Sequence, residues 1–380
     1  MTVAEETLLS LIRISLFGSS EIALDGIDWD EVISEAQLQS VAGLISNALP
    51  MPIRDQGRKY LYQNTSTYSH ILYAQRKLLD MFENAGIPLV ILKGFAAAIY
   101  YPVPALRSMG DIDFLVPQER FADAVSLMES NGYVTTQKGD VPKERHVGFV
   151  KDRILFELHH HFSYTDLDIE EYLLEGLKHL EIQTIDNSPF PMLPKLANGL
   201  VLLAHMRAHL QSGLGLRQVI DWMMYVDKVL DDVFWEREFK KAAQEVGLEK
   251  LAIVTTHMCQ MYLGLSERIT WSNSAEENLC SRLMDSLLSS GNFGRKIGDS
   301  YNTETVGTFI RKEGFFHYLQ RAGECNWEAY KQHHWLKPFC WVYQTARYCR
   351  KGLKANRGRE LVGGINRSKK RYELLRELNI

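Results

Sequence analysis

The sequence predicts an α+β protein: a mixed sheet flanked by N-terminal and C-terminal helical regions. Three observations predict it. Through residues 1–85 the apolar residues recur at helical spacing. At Ile87 the texture changes to short aliphatic and β-branched runs, each closed by Gly or Pro. After the cluster Pro189, Pro191, Pro194 the helical pattern returns and runs to about Arg350.

The elements follow in order. Leu8, Leu9, Ile12 and Leu16 form one helical stripe. Val32, Ile33, Ala36, Leu38, Val41, Leu44 and Ile45 form a second, entered through Asp28, Asp30 and Glu31. A long helix is expected from about Arg58 to Ala85, ending near Gly86 and Pro88. The run from Ile87 to Gly94 reads as a buried strand, and Phe95 to Tyr101 as a helix broken by Pro102 and Pro104. A second strand spans Asp111 to Val116 and stops at Pro117. Gln118 to Asn131 is amphipathic. Further strands are expected at Tyr133–Gln137, His146–Lys151 and Ile154–Phe162. The order is β-α-β-α-β-β-β. The organisation is an N-terminal helical region (1–85), a core (86–192), a C-terminal helical domain (193–350) and a basic tail (351–380).

Composition excludes several classes. Of 380 residues, 46% are hydrophobic and 24% charged, as in ordinary globular proteins rather than disordered or collagenous chains. The net charge of -4 gives no global attraction to nucleic acid or anionic membrane. Cys259, Cys280, Cys325, Cys340 and Cys349 are scattered, with no CxxC pair, so neither a disulfide framework nor a Cys-type zinc site is expected. A reducing cytoplasm fits best. Glu5 and Glu6 stand where a signal peptide needs positive charge. No apolar stretch is long enough to span a bilayer, so no membrane insertion is expected. From Arg347 onward eleven Lys and Arg face three Glu, a net of +8. That segment reads as mobile or as an exposed helix. It is either a solvated tail or a contact for RNA, an acidic partner or lipid phosphates.

Three segments carry candidate chemistry. Asp111 and Asp113 alternate on a strand, so their side chains share a face with Cα atoms roughly 6.6 Å apart. Two such carboxylates repel unless a cation lies between them. Hard oxygen ligands suit Mg²⁺ (or Mn²⁺), which also takes substrate phosphates. Taken alone, the pair reads first as two surface carboxylates in a turn. Glu157 changes the balance. In the run Phe156 to Phe162, Glu157, His159 and His161 share one face, and a third carboxylate beside the pair makes a site for one or two metals. Zinc on the histidine run is the alternative, though no Cys or further His lies close by. Lys93-Gly94 closes the first strand, where Gly permits close approach and Lys offers a point charge to phosphate. Arg107 is a second phosphate candidate, or a solvated loop cation. His205 and His209 share a helix face, as do Arg217 and Asp221. Their plain reading is core or surface histidines and a helix-surface ion pair. Met223, Met224 and Tyr225 read as core.

The run from Leu92 to Pro117, followed by Phe156 to Phe162, resembles the uncharacterised bacterial nucleotidyltransferases of the DNA polymerase β-like superfamily. The resemblance rests on the Leu-Lys-Gly strand end, the Arg107-Ser-Met-Gly-Asp-Ile-Asp strand and the later Glu157-Leu-His159 strand. It is close over about 85–165 and looser over 195–230. It implies a polymerase β-like nucleotidyltransferase sheet. It implies Asp111 and Asp113 as the metal pair, with Glu157 as the third acid and base. It implies Lys93, Gly94, Arg107, His205, Arg217 and Asp221 around the nucleotide. The departure is Lys93-Gly94-Phe95, where the superfamily has a small hydroxyl residue after Gly. The implied activity is metal-dependent transfer of an NMP from an NTP such as ATP to a small-molecule, protein or RNA acceptor. A phosphotransferase of the same fold and a non-catalytic nucleotide-binding scaffold are the alternatives.

Overall fold

The computed structural model describes residues 1–18, 26–136, 146–162, 168–210, 213–296, 300–353 and 358–380. Its strands are β1 (Val90–Leu92), β2 (Ile112–Leu115), β3 (Val134–Thr135), β4 (His146–Lys151), β5 (Ile154–His159), β6 (Glu181–Ile185) and β7 (Ser188–Met192). Among the described residues they form one mixed sheet in the order β3-β4-β5-β2-β1-β7-β6, so β2 lies at the centre. β2 runs antiparallel to β1 and parallel to β5. β4 and β5 form a hairpin closed by Asp152 and Arg153, both at positive φ as a two-residue turn requires.

The helical expectations hold in kind, but the second stripe is divided between Trp29–Leu38 and Ala42–Ile45, and the helix after the first strand is only Gly94–Ala98. The helix Trp29–Leu38 begins at Asp28, whose carboxylate accepts from the backbone N–H groups of Asp30 and Glu31. The long helix runs Met51–Asn84, starting seven residues before Arg58 because Pro50 and Pro52 suit a helix start. The β6–β7 hairpin was not expected. Pro189 and Pro191 lie inside β7, paired with Thr184 and Ile182. A two-residue turn, Asp186 and Asn187 at positive φ, sets the register. It puts both prolines at non-hydrogen-bonded positions, where a missing N–H costs no bond to β6. Gln137, expected to end a strand, lies outside the described residues.

The two faces of the sheet bury separate cores. On one, Phe82 packs with Phe114, Phe149 and Phe156. On the other, Val90, Leu92 and Leu115 join a large cluster in which Leu8 and Ile12 meet Leu203, Trp222 and Met258. The N-terminal helices therefore pack against the C-terminal ones. Each fully buried large side chain contributes roughly 1.5–3 kcal/mol, so this shared core braces whatever stands between the sheet and the C-terminal helices. The basic end of the chain is not simply solvated. Gly358–Glu377 is a helix, and Leu374, Leu375 and Leu378 are buried. Arg371 donates to Ser290 Oγ at 2.8 Å, and Arg282 pairs with Glu377 at 2.6 Å. The leucine stripe, not the net charge, decides where this helix goes. No helix among the described residues is long and apolar enough to cross a membrane.

Candidate active site

The central strands bring the acidic residues together. In register, Asp113 on β2 stands beside Glu157 on β5 and beside Leu92 on β1. Adjacent strands are about 4.8 Å apart, so side chains on one face of Asp113 and Glu157 must meet. Ligand atoms of Asp111, Asp113 and Glu157 lie within 4.8 Å of one another. Lys93, one residue past the end of β1, places Nζ 2.6 Å from Asp113 Oδ1. Both residues are buried. Lys93 has φ 48° and ψ -139°, and Gly94 has φ 38°. A lysine held there is strained by roughly 1–3 kcal/mol, and its ion pair with Asp113 is what offsets the strain. A Cβ on Gly94 would meet nothing closer than Asp111 O at 4.0 Å, so the chain leaves open space at the turn. The helix that follows, Gly94–Ala98, has five residues. It is too short to supply a substantial helix-end charge of its own.

His159, two residues after Glu157, places Nε2 3.0 Å from Asp113 Oδ1 and 3.6 Å from Glu157 Oε2. Burial raises the Glu157 carboxyl pKa, but the His159 hydrogen bond and the Lys93 charge outweigh it and hold it at about 2. His146 faces His159 across the β4–β5 pair, their rings 5.0 Å apart. This corrects the expectation that no further histidine lies close: the hairpin supplies one. His146, Glu157 and His159 form a second possible ligand set, which shares Glu157 with the first.

The helices Lys195–Leu210 and Leu216–Lys228 form the opposite wall. His205 and His209 face the same cleft, with their Nε2 atoms 2.8 Å apart. Burial lowers both pKa values, helped by the Lys93 charge, and His209 falls to about 4. Asp221 does not pair with Arg217. It accepts a two-pronged bond from Arg107, Nε to Oδ1 and Nη2 to Oδ2, each 2.7 Å, and a third from Tyr101 Oη at 2.7 Å. A helix-surface ion pair is thus replaced by a buried one that ties the segment before β2 to the second helix. Arg107 is neither solvated nor free, and Asp221 acts through it. Arg217 is left with one long hydrogen bond, to Ser108 O at 3.4 Å, a place over the Phe293 ring, and an Nε that is buried without a partner. Burial and the neighbouring Arg107 lower its pKa.

Together these walls enclose a cleft of about 220 Å³ lined by Lys93, Gly94, Arg107, Asp111, Asp113, Glu157, His205 and Arg217 among others. Of the residues singled out in sequence, only Asp221 stands behind the lining. Sequence reasoning missed His146, Phe162 and Phe293, which also line it. His159 was visible as the alternation partner of Glu157. His146 was visible only as the first residue of an expected strand. Phe293 gave no signal.

A family model described as an uncharacterised nucleotidyltransferase matches residues 25–264. The chain belongs to this family. The matched segment spans the whole sheet and both helices of the opposite wall, and stops before Phe293. No curated protein matches the chain. Three solved structures are similar at low identity. The solution structure of the antibiotic-resistance factor ANT(2'')-Ia is 13% identical, with 47% of this chain and 93% of that chain covered and a TM-score of 0.36. The crystal structure of ANT(2'')-Ia with adenylyl-2''-tobramycin is 16% identical, with 51% and 99% covered and a TM-score of 0.27. An antigenic nucleotidyltransferase-like protein from Paracoccidioides brasiliensis is 11% identical, with 51% and 92% covered and a TM-score of 0.32.

Proposed function

We propose that this nucleotidyltransferase-family protein moves an NMP from a metal-bound NTP to an acceptor hydroxyl or phosphate, releasing pyrophosphate. The observation that carries the reading is the carboxylate triad. Asp111, Asp113 and Glu157 converge within 4.8 Å, and Lys93 is paired into them. Several carboxylates facing one ammonium leave negative charge that a divalent cation neutralises. All-oxygen donors at this spacing fit Mg²⁺ or Mn²⁺. The mixed set with His146 and His159 is better suited to zinc, but it shares Glu157 and leaves Asp111 unused.

The residues then divide the work. Asp111, Asp113 and Glu157 hold the cation, which when bound polarises the phosphoryl oxygens and neutralises the leaving pyrophosphate. Lys93 orients Asp113 and adds positive charge for the phosphates. The turn at Gly94 lets a phosphate approach the backbone. Arg217, partly buried, with its Nε enclosed and no carboxylate bonded to it, takes a phosphate as its counter-charge. Arg107 and Asp221 hold the two walls in register, and His205 with His209 fills the wall beside Arg217 without adding charge. The cytoplasm, where NTPs are supplied, is the proposed compartment. The acceptor class is open to small molecules, protein and RNA, and the basic C-terminal segment suits an acidic one.

The test is a thermal-shift screen of the four NTPs with and without Mg²⁺, on the wild type and on Asp111→Ala/Asp113→Ala. A ligand at 100 times its Kd stabilises the folded state by about 2.7 kcal/mol. A Mg²⁺-dependent shift lost in the double variant is expected. No shift with any NTP would sink the proposal. With an acceptor in hand, ADP as product instead of pyrophosphate would convert it to phosphoryl transfer.

A further inference from the structure

We propose that Phe293 is the platform on which the planar base of the donor nucleotide stacks. The proposal rests on the nucleotidyltransferase reading of the cleft. Phe293 lines that cleft from a segment beyond the family match. It is a non-glycine residue at φ 55° and ψ 33°, the left-handed region, where a Cβ is unfavourable. Strain of this kind persists only where the surroundings enforce it, and it gathers at ligand sites.

The surroundings do enforce it. The Phe293 N–H donates to Gly213 O at 3.1 Å. The preceding Asn292 donates to Ser40 Oγ at 2.7 Å and packs so tightly on Gly215 that a Cβ there would lie 2.7 Å from Asn292 Cα. The loop is therefore held on both sides. The ring so placed is not a core ring: Phe293 is 44% exposed. His209 meets the ring at a steep angle with centroids 4.9 Å apart, and the Arg217 guanidinium lies over it, while the exposed remainder is open.

Arg217 gives the platform its direction. Its guanidinium carbon lies 5.9 Å from the Phe293 ring centre. Its Nη1 lies 3.7 Å from where a Cβ on Gly110 would stand, and Gly110 precedes Asp111. Ring, guanidinium and the segment bearing the Asp111 carboxylate thus follow one another along the cleft lining. That is the order of base, phosphate and cation in a metal-bound nucleotide. Phe293 offers a π-face and no hydrogen-bonding group, and every base has a π-face. All four NTPs should therefore bind, with purines preferred only modestly for their larger overlap.

The experiment compares ATP with inorganic tripolyphosphate, each with Mg²⁺, by calorimetry on the full chain. The proteins are wild type, Phe293→Ala and Phe293→Trp. Stacking predicts that Phe293→Ala weakens ATP roughly 5- to 150-fold, leaves tripolyphosphate unchanged, and that Phe293→Trp retains ATP. If Phe293→Ala does not fold, Phe293→Leu, apolar but without a ring, replaces it and should lose ATP alike. Equal loss of both ligands would show a packing role and overturn the platform. So would unchanged ATP binding. Failure of the wild type to bind either ligand is a different result. It removes the nucleotide site itself, and the platform with it.

Discussion

Removing the carboxylate of Asp221 should be among the costliest single polar truncations near the cleft. Arg107 and Asp221 are 5% and 4% exposed, and every oxygen of the carboxylate is used. Asp221→Ala leaves a buried guanidinium without its counter-charge and the Tyr101 hydroxyl without its acceptor. Breaking a buried pair from one side costs about 3–5 kcal/mol, whereas replacing both partners by apolar residues of similar volume is often neutral. A folded protein has only about 5–15 kcal/mol in hand. Urea unfolding at pH 7.5 should therefore show Asp221→Ala and Arg107→Ala each losing about 3–5 kcal/mol, and Arg107→Met/Asp221→Leu losing much less than their sum. The pair also has a positional consequence. It fixes the segment before β2 against the helix that carries Arg217, so the apolar double variant should fold yet show a reduced Mg²⁺–NTP thermal shift. A loss below about 1 kcal/mol for Asp221→Ala, or strict additivity in the double variant, would refute this account of how the walls are joined.

Three further outcomes are expected. His209 is neutral in the fold because its pKa is lowered from 6.5 to about 4. The unfolded chain takes up the proton first, so stability falls as pH drops from 6.5 toward 4, by up to about 3 kcal/mol. His209→Gln should flatten that part of a urea-midpoint profile, and an unchanged profile would dismiss the histidine. Gly199→Ala places a Cβ 2.5 Å from Tyr225 Oη and 2.6 Å from Phe239 Cε2. Overpacking of this kind costs about 1–3 kcal/mol, to be read in the unfolding midpoint. Leu378 is fully buried. Leu378→Ala should cost about 2–5 kcal/mol if the C-terminal helix is part of the folding unit, and nearly nothing if it detaches freely.

How much of this was legible follows from what each feature depends on. The central strands were readable because Val90 to Leu92 and Ile112 to Leu115 are buried on both faces and lack polar interruption except at Asp113. That interruption was itself the functional signal, since a lone carboxylate in an apolar strand needs a partner. The β6–β7 hairpin was hidden because Pro189 and Pro191 are strand-breaking by propensity, and only the register of the turn makes them harmless. The C-terminal helix was misjudged for the opposite reason. Net charge is a sum over all faces, while docking depends on one, and Leu374, Leu375 and Leu378 occupy it.

The same distinction runs through the site. Asp111, Asp113 and Glu157 could be grouped because strand alternation fixes which face a residue takes, and only the neighbour relation of β2 and β5 had to be supposed. Contacts across elements have no such rule. Arg217 and Asp221, four residues apart on a helix, invite pairing, and nothing local reveals that Arg107 captures the carboxylate instead. That capture is what leaves Arg217, whose Nε is buried, without a carboxylate bonded to it. A partly desolvated cation with an unsatisfied donor gains a favourable charge-assisted bond once an anion arrives. The local rule fails at Arg217, which lines the cleft together with Lys93 and has no side-chain bond to a carboxylate among the described residues.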